Sequence, residues 1–183
     1  MNKTLALHLF PTQSIRRDAA MISSAVVLTA LCSQISIPFF PVPFTLQTFA
    51  VLLTAFALGS RRGFLAQIAY LTAGAVGVPV FAEWHGGIAY AFGPTGGYLL
   101  GFAVAAWIVG SLAEKGWDRK VGLSILAMVA GNLVVYAFGA AWLSVYVGVN
   151  AAIMTGVAPF VLGDMIKILA SAAALPAAWK LTR

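Results

Sequence analysis

Phe160-Val161-Leu162-Gly163-Asp164-Met165-Ile166-Lys167 is the stretch on which the reading of this chain turns. Asp164 and Lys167 are an acid and a base set in a run apolar enough to lie in lipid. Ionisable groups at membrane depth are costly, and a pair at helical spacing marks a functional site by default. A separation of three residues puts both on one face of a helix. If they share a cavity, they present an acceptor and a donor side by side.

The rest of the composition supports a membrane setting. Of 183 residues, 61% are hydrophobic and 9% charged, against about 25% charged in a soluble domain. The mean hydropathy is +0.94. Several apolar runs approach the ~20 residues needed to cross a bilayer. The expected fold is an all-α integral membrane protein, a single membrane domain over 1–183 with a short N-terminal tail of about residues 1–17. Met1 to Ser14 has neither a long apolar core nor a cleavage pattern, so no signal peptide is expected. The lone Cys32 excludes an intramolecular disulfide and a multi-cysteine metal site.

Six transmembrane helices are expected, at about Asp18–Ile35, Thr45–Gly59, Gly63–Phe81, Thr95–Ala113, Val121–Tyr146 and Pro159–Trp179. The second is short and follows a Pro-rich turn, Pro38 to Pro43. Lys3, Arg16 and Arg17 precede the first helix. Arg61 and Arg62 fall between the second and third, Lys115, Arg119 and Lys120 between the fourth and fifth, and Lys180 and Arg183 after the sixth. Ten of the eleven basic residues thus fall on one side, and the eleventh is Lys167. The bias puts both termini in the cytoplasm. It also explains the pI near 9.8 by topology, so no nucleic-acid partner is expected; the lipid bilayer is the surrounding medium.

The three opposite loops, Ile37–Pro43, Glu83–Pro94 and Val147–Ala158, are rich in Pro, Gly and aromatics. Such loops suit a cover over a site. With helix six entering near Pro159, Asp164 and Lys167 lie about 8 and 12 Å below that end. A ligand would then be taken from the external face. Other polar groups converge there. Gly93-Pro94-Thr95-Gly96-Gly97-Tyr98 opens helix four; Gly96 and Gly97 allow close backbone approach, Thr95 suits an N-cap, and the helix start offers free N–H groups. Tight packing of small residues explains the same glycines. Thr45-Leu46-Gln47-Thr48 opens helix two, where Thr45 and Gln47 either line the pocket or cap the helix. Asn132 and Tyr136 share a face of helix five, as ligand contacts or as interhelical glue; Gln67 reads as glue. Glu83 and His85 suit a lid, and a lone His without acid or Cys partners makes no metal site.

No nucleophile with a His partner, no zinc motif and no P-loop is present, and Asp164 has no second acid nearby, so no catalytic residue and no enzyme are expected. No bound cofactor is expected either; ATP, if used, must be held by another chain. An acceptor and a donor one helical turn apart match a planar urea or amide, with N–H beside C=O. Several vitamins and nucleobases meet that description.

The segments Ile37-Pro38…Pro41-Val42-Pro43-Phe44-Thr45-Leu46-Gln47-Thr48, Phe92-Gly93-Pro94-Thr95-Gly96-Gly97-Tyr98-Leu99-Leu100-Gly101-Phe102 and Pro159-Phe160…Gly163-Asp164-Met165-Ile166-Lys167 resemble those of the BioY family. These are the biotin-specific substrate-binding (S) components of energy-coupling-factor (ECF) transporters. The resemblance covers nearly the whole chain. It implies a six-helix S component of the bacterial plasma membrane that captures biotin from outside, with Asp164 and Lys167 in the site and the ureido ring their natural partner. The family's loop before this motif is Gly-rich; here it reads Ala82-Glu83-Trp84-His85-Gly86-Gly87. That leaves the valerate carboxylate to His85 or to an N–H at the start of helix four. The resemblance further implies an ECF transmembrane subunit docking on small residues of helix one, here Ala25-x-x-x-Thr29 with Ser24 beside it, together with ATPase subunits, or transport by the chain alone. The rival readings are a membrane enzyme, which needs a further base or nucleophile at this depth, and a channel or carrier, which favours inverted repeats; neither pattern stands out.

Overall fold

The computed structural model describes residues 4–9 and 14–181; Lys3 and Arg183 of the charge pattern lie outside them. A short helix α1 (Leu5–Leu9) precedes α2 (Ile15–Gln34). A hairpin follows, β1 (Ser36–Ile37) paired antiparallel with β2 (Phe44–Thr45), Ser36 opposite Thr45. Next come α3 (Gln47–Leu58), α4 (Ser60–Ala75), a 3-10 turn at Ala82–Trp84 and α5 (Ile88–Ala91). Then α6 (Gly96–Glu114), a second 3-10 turn at Trp117–Arg119, α7 (Val121–Val147), α8 (Val149–Gly156) and α9 (Ala158–Leu181) complete the order.

The expected helices are present with ends shifted by up to six residues, the third ending at Ala75 and not Phe81, and three expected loops carry structure. Part of the expected N-terminal tail is α1, whose Leu5 and Ala6 are buried. The Pro-rich turn is the loop of the β1–β2 hairpin. The stretch Val147–Ala158 is mostly the helix α8, set off from α9 at Val157. Three stretches among the described residues are long and apolar enough to cross a membrane: Gly96–Glu114, Val121–Val147 and Val149–Ala174, with α3 a shorter apolar helix.

The helix ends follow from local chemistry. Gly59 (φ 87°) is the single residue between α3 and α4, a left-handed position open to glycine. At the start of α4, Ser60 N–H and Ser60 Oγ both donate to Glu114 Oε1, at 2.9 and 2.8 Å. A carboxylate there satisfies orphan donors and suits the helix dipole. The central helix α6 packs against α3, α4 and α7. A Cβ on Gly110 would stand 2.4 Å from Ser60 N, so α6 rests directly on the α3–α4 turn. Phe56, Tyr70, Phe81, Met128 and Leu143 fill the core.

Two ends of the bundle differ in character. At one, Arg62 pairs with Asp18 at 3.1 Å, Glu114 caps α4, and Trp179 Nε1 donates to Asp118 Oδ2 at 2.7 Å. This gathers the basic loops into one end, called here the basic end. Asp118 is buried in the turn between α6 and α7, and that burial raises its carboxyl pKa while the Trp179 N–H works the other way. At the opposite end, Ser33 Oγ donates to Val80 O, Trp142 Nε1 to Gly93 O and Tyr98 Oη to Gly156 O, at 2.7, 3.0 and 2.7 Å. These bonds fasten the loops that lack Lys and Arg over the helices.

Candidate functional site

Asp164 and Lys167 meet on the inward face of α9, beneath the fastened loops. Their side chains are 4% and 10% exposed, and Lys167 Nζ lies 2.8 Å from Asp164 Oδ1. The lysine's other donors go to Thr45 O at 2.6 Å and Thr48 Oγ1 at 3.2 Å. An ammonium carries three donors, and all three have acceptors. The β1–β2 hairpin is what brings the Thr45 carbonyl to this point. Phe44 follows from it too: its ring lies under Lys167 Nζ at 4.4 Å, within cation–π range. Phe44 stacks on Phe160 at 5.3 Å. Gly163 makes room for this ring, since a Cβ there would stand 2.0 Å from Phe44 Cζ.

Asp164 is equally well held. Oδ1 accepts from Thr48 Oγ1 at 3.0 Å as well as from Lys167. Oδ2 accepts from Asn132 Nδ2 at 3.1 Å and Tyr136 Oη at 2.5 Å. Three helices, α3, α7 and α9, thus converge on one carboxylate. A buried ion pair is tolerable only when its remaining positions are satisfied in this way.

The pair borders a narrow inner cavity of about 50 Å³ of water-accessible space. Thr45, Gln47, Tyr98, Tyr136, Asp164 and Lys167 all line it, so six of the expected residues share one wall. Asn132 stands behind Asp164 as its positioning donor. Gln47 Nε2 donates to Tyr70 Oη at 2.6 Å, which donates on to Val80 O, tying the cavity floor to the covering loop.

Other expected residues are placed differently. Gly96 and Gly97 serve packing: a Cβ on Gly97 would stand 2.2 Å from Trp142 Cβ, and one on Gly96 2.5 Å from Ala91 O. Thr95 precedes α6 with no side-chain capping bond. His85 lines a second, larger rim cavity of about 650 Å³ above the first, together with Glu83. Thr29 is fully buried and lies 3.5 Å from Gln67 Nε2 of α4, so it faces the bundle rather than a partner surface. Ala25, though 2% exposed, borders a shallow groove between α2 and α3 with Ala20, Ser24 and Ala57.

Tyr90 and Phe160 complete the inner cavity and Phe44 backs it through Lys167 and Phe160, none of the three having been singled out in the sequence. Phe44 adjoins Thr45 and Phe160 precedes Asp164 by four residues, so proximity was their signal. Tyr90 had none, because its loop carries no helical or strand period. Among the described residues, no cluster of His, Cys, Asp or Glu suits a metal ion.

The BioY family model matches residues 2–183. A protein of Thermotoga maritima named biotin transporter BioY is 45% identical over 152 residues, which cover 81% of this chain and 89% of that one. A Pyrococcus horikoshii protein named probable biotin transporter BioY is 40% identical over 151 residues, 82% of this chain and 89% of that one. Among solved structures, the S-component for biotin from an ECF-type ABC transporter superposes with a TM-score of 0.73 at 23% identity, covering 92% of this chain and 95% of that one. That likeness shows a shared fold. With its apolar helices, the chain is a multi-pass membrane protein. The matches in sequence place it in the BioY family, whose members are transporters and not enzymes.

Proposed function

We propose that this chain is the substrate-binding subunit for biotin uptake, an S component of an ECF transporter, taking biotin from the outer face of a bacterial plasma membrane. The observation that carries this is the buried Asp164–Lys167 pair lining a cavity walled by Tyr90, Tyr98 and Phe160. A cyclic urea presents N–H beside C=O. The carboxylate accepts from the first and the ammonium donates to the second, both at charge-assisted strength. The aromatic wall takes the thioether ring and the start of the aliphatic tail. The hydroxyl of Thr48 sits between the two charged groups, donating to one and accepting from the other. It is the group a ligand edge displaces. Relatives named biotin transporter supply the ligand's identity.

The chain spans the membrane six times as a single domain with both termini in the cytoplasm, and the loop-covered end faces outward. The basic loops at one end follow the usual cytoplasmic bias. The groove by Ala25 and Ser24, with Thr29 internal, is where an ECF transmembrane subunit approaches closely, as small residues allow. ATP, where it is used, is bound by ATPase subunits, and this chain carries no cofactor.

Calorimetry with biotin on the purified protein tests the reading. Tight binding is expected, weakened at least 100-fold, or about 2.7 kcal/mol, by Asp164→Asn or Lys167→Ala. Wild-type protein that ignores biotin, or variants that bind unchanged, would refute it. Uptake with and without co-expressed ATPase subunits then reads the energy requirement.

A further inference from the structure

The two cavities at the loop-covered end share Pro43, Tyr90 and Thr95. The inner one is narrow, and the rim cavity above it is roomy at about 650 Å³. A ligand seated on Asp164 and Lys167 therefore points its tail past Tyr90 into the rim cavity. The chemistry there is unlike that of a carboxylate receptor. Among the described residues lining it there is no lysine or arginine, and the acid Glu83 is present. His85 Nδ1 lies 2.9 Å from Ala82 O. A carbonyl only accepts, so Nδ1 carries a proton toward Ala82. Glu83 thus offers an acceptor to the tail.

The segment that carries them is held in an uncommon shape. Glu83 (φ 56°) and Trp84 (φ 60°) are both in the left-handed region, rare for such residues. The segment is kept there by α2: Trp84 N–H donates to Gln34 Oε1 at 2.9 Å, and Gln34 Nε2 to Phe81 O at 3.0 Å. The His85 ring also stacks on Tyr90 at 4.8 Å, and Tyr90 on Phe81 at 5.4 Å. Backbone strain fixed by its surroundings gathers at ligand sites.

We infer that the rim cavity is a second subsite, for ligands whose carboxyl group is extended as an amide ending in an amine, such as biotin joined to the side chain of a diamino acid. This rests on the biotin reading of the inner cavity. The amide removes the charge that Glu83 repels, and the amine gives Glu83 a donor.

Titration of purified full-length protein with free biotin and with Nε-biotinyl-L-lysine tests the inference. The conjugate is expected to bind within about tenfold of free biotin. Glu83→Gln should weaken the conjugate about tenfold, the scale of one hydrogen bond to a charged group, and leave biotin bound as tightly or more tightly, its carboxylate then facing no like charge. Ala89→Trp, which narrows the rim cavity, should weaken the longer conjugate at least tenfold more than biotin, with the biotin binding that remains in the same sample reporting an intact fold. Biotin bound and conjugate refused overturns the second subsite while the inner site stands. Conjugate binding indifferent to both substitutions overturns the rim assignment. Protein that binds neither compound removes the biotin reading and this inference with it.

Discussion

Lys167 holds Asp164 from one side and Phe44 from the other: its ammonium is 2.8 Å from the carboxylate and 4.4 Å from the centre of the ring. The lysine thereby joins α9 to the hairpin that covers the site. Recognition and closure of the cavity share one side chain.

The position of Phe44 depends on a missing Cβ at Gly163. In Gly163→Ala the new methyl overlaps the ring, which must move and give up its contact with the ammonium. A cation–π contact of this kind is worth about 1–2 kcal/mol. Biotin affinity should fall about tenfold or more, measured by calorimetry. Unchanged affinity would show that the ring is no part of the site.

Lys167→Ala leaves a buried carboxylate unpaired, and thermal denaturation in detergent should show a loss of about 3–5 kcal/mol. Replacing both charges, as Asp164→Asn with Lys167→Met, should restore most of that stability. It should not restore binding. Recovery of both would mean the charges serve only the fold.

Tyr136→Phe removes one of two donors to Asp164 Oδ2. A bond to a charged acceptor is worth about 1.5–3 kcal/mol, so the melting temperature should drop and biotin affinity weaken about tenfold. A variant matching wild type in both would assign the carboxylate's placement to Asn132 alone.

Asp118 gives the basic end a pH dependence. Its carboxyl is raised in the folded protein by burial. A raised pKa favours the folded state below the ordinary aspartate value near 3.9, and that contribution is lost as pH rises through the folded value. Asp118→Asn keeps an acceptor for Trp179 without the charge. The variant should match wild type in melting temperature near pH 4 and exceed it near pH 8. A constant difference across that range would place the titration elsewhere.

Orientation is open to labelling, because the native Cys32 is buried. In intact cells, Ile88→Cys at the loop-covered end should react with an impermeant maleimide, and Lys120→Cys at the basic end should react only after lysis. The reverse pattern would invert the proposed topology.

The charge pattern and apolar runs, local properties of the chain, were enough to locate the six long helices α2, α3, α4, α6, α7 and α9, with ends off by up to six residues. Asp164 and Lys167 were legible because charges in an apolar run are rare and i,i+3 spacing fixes a shared face. Asn132 and Tyr136 were ambiguous between ligand contact and glue, and the structure makes Asn132 a support for Asp164 while Tyr136 both supports it and lines the cavity. Helix α8 was hidden because its eight residues, between Gly148 and Val157, resemble an apolar loop in composition.

The sequence by itself determined a helical membrane protein with a buried acid–base pair, since hydropathy and i,i+3 geometry need no knowledge of neighbours. Only the tertiary structure decided what the pair touches. Gly96 and Gly97 went to packing against α7, Thr29 to the bundle interior and His85 to a separate cavity. Those outcomes depend on which helix faces which, and contacts between residues more than a hundred positions apart, such as Thr45 with Lys167, leave no period in the chain.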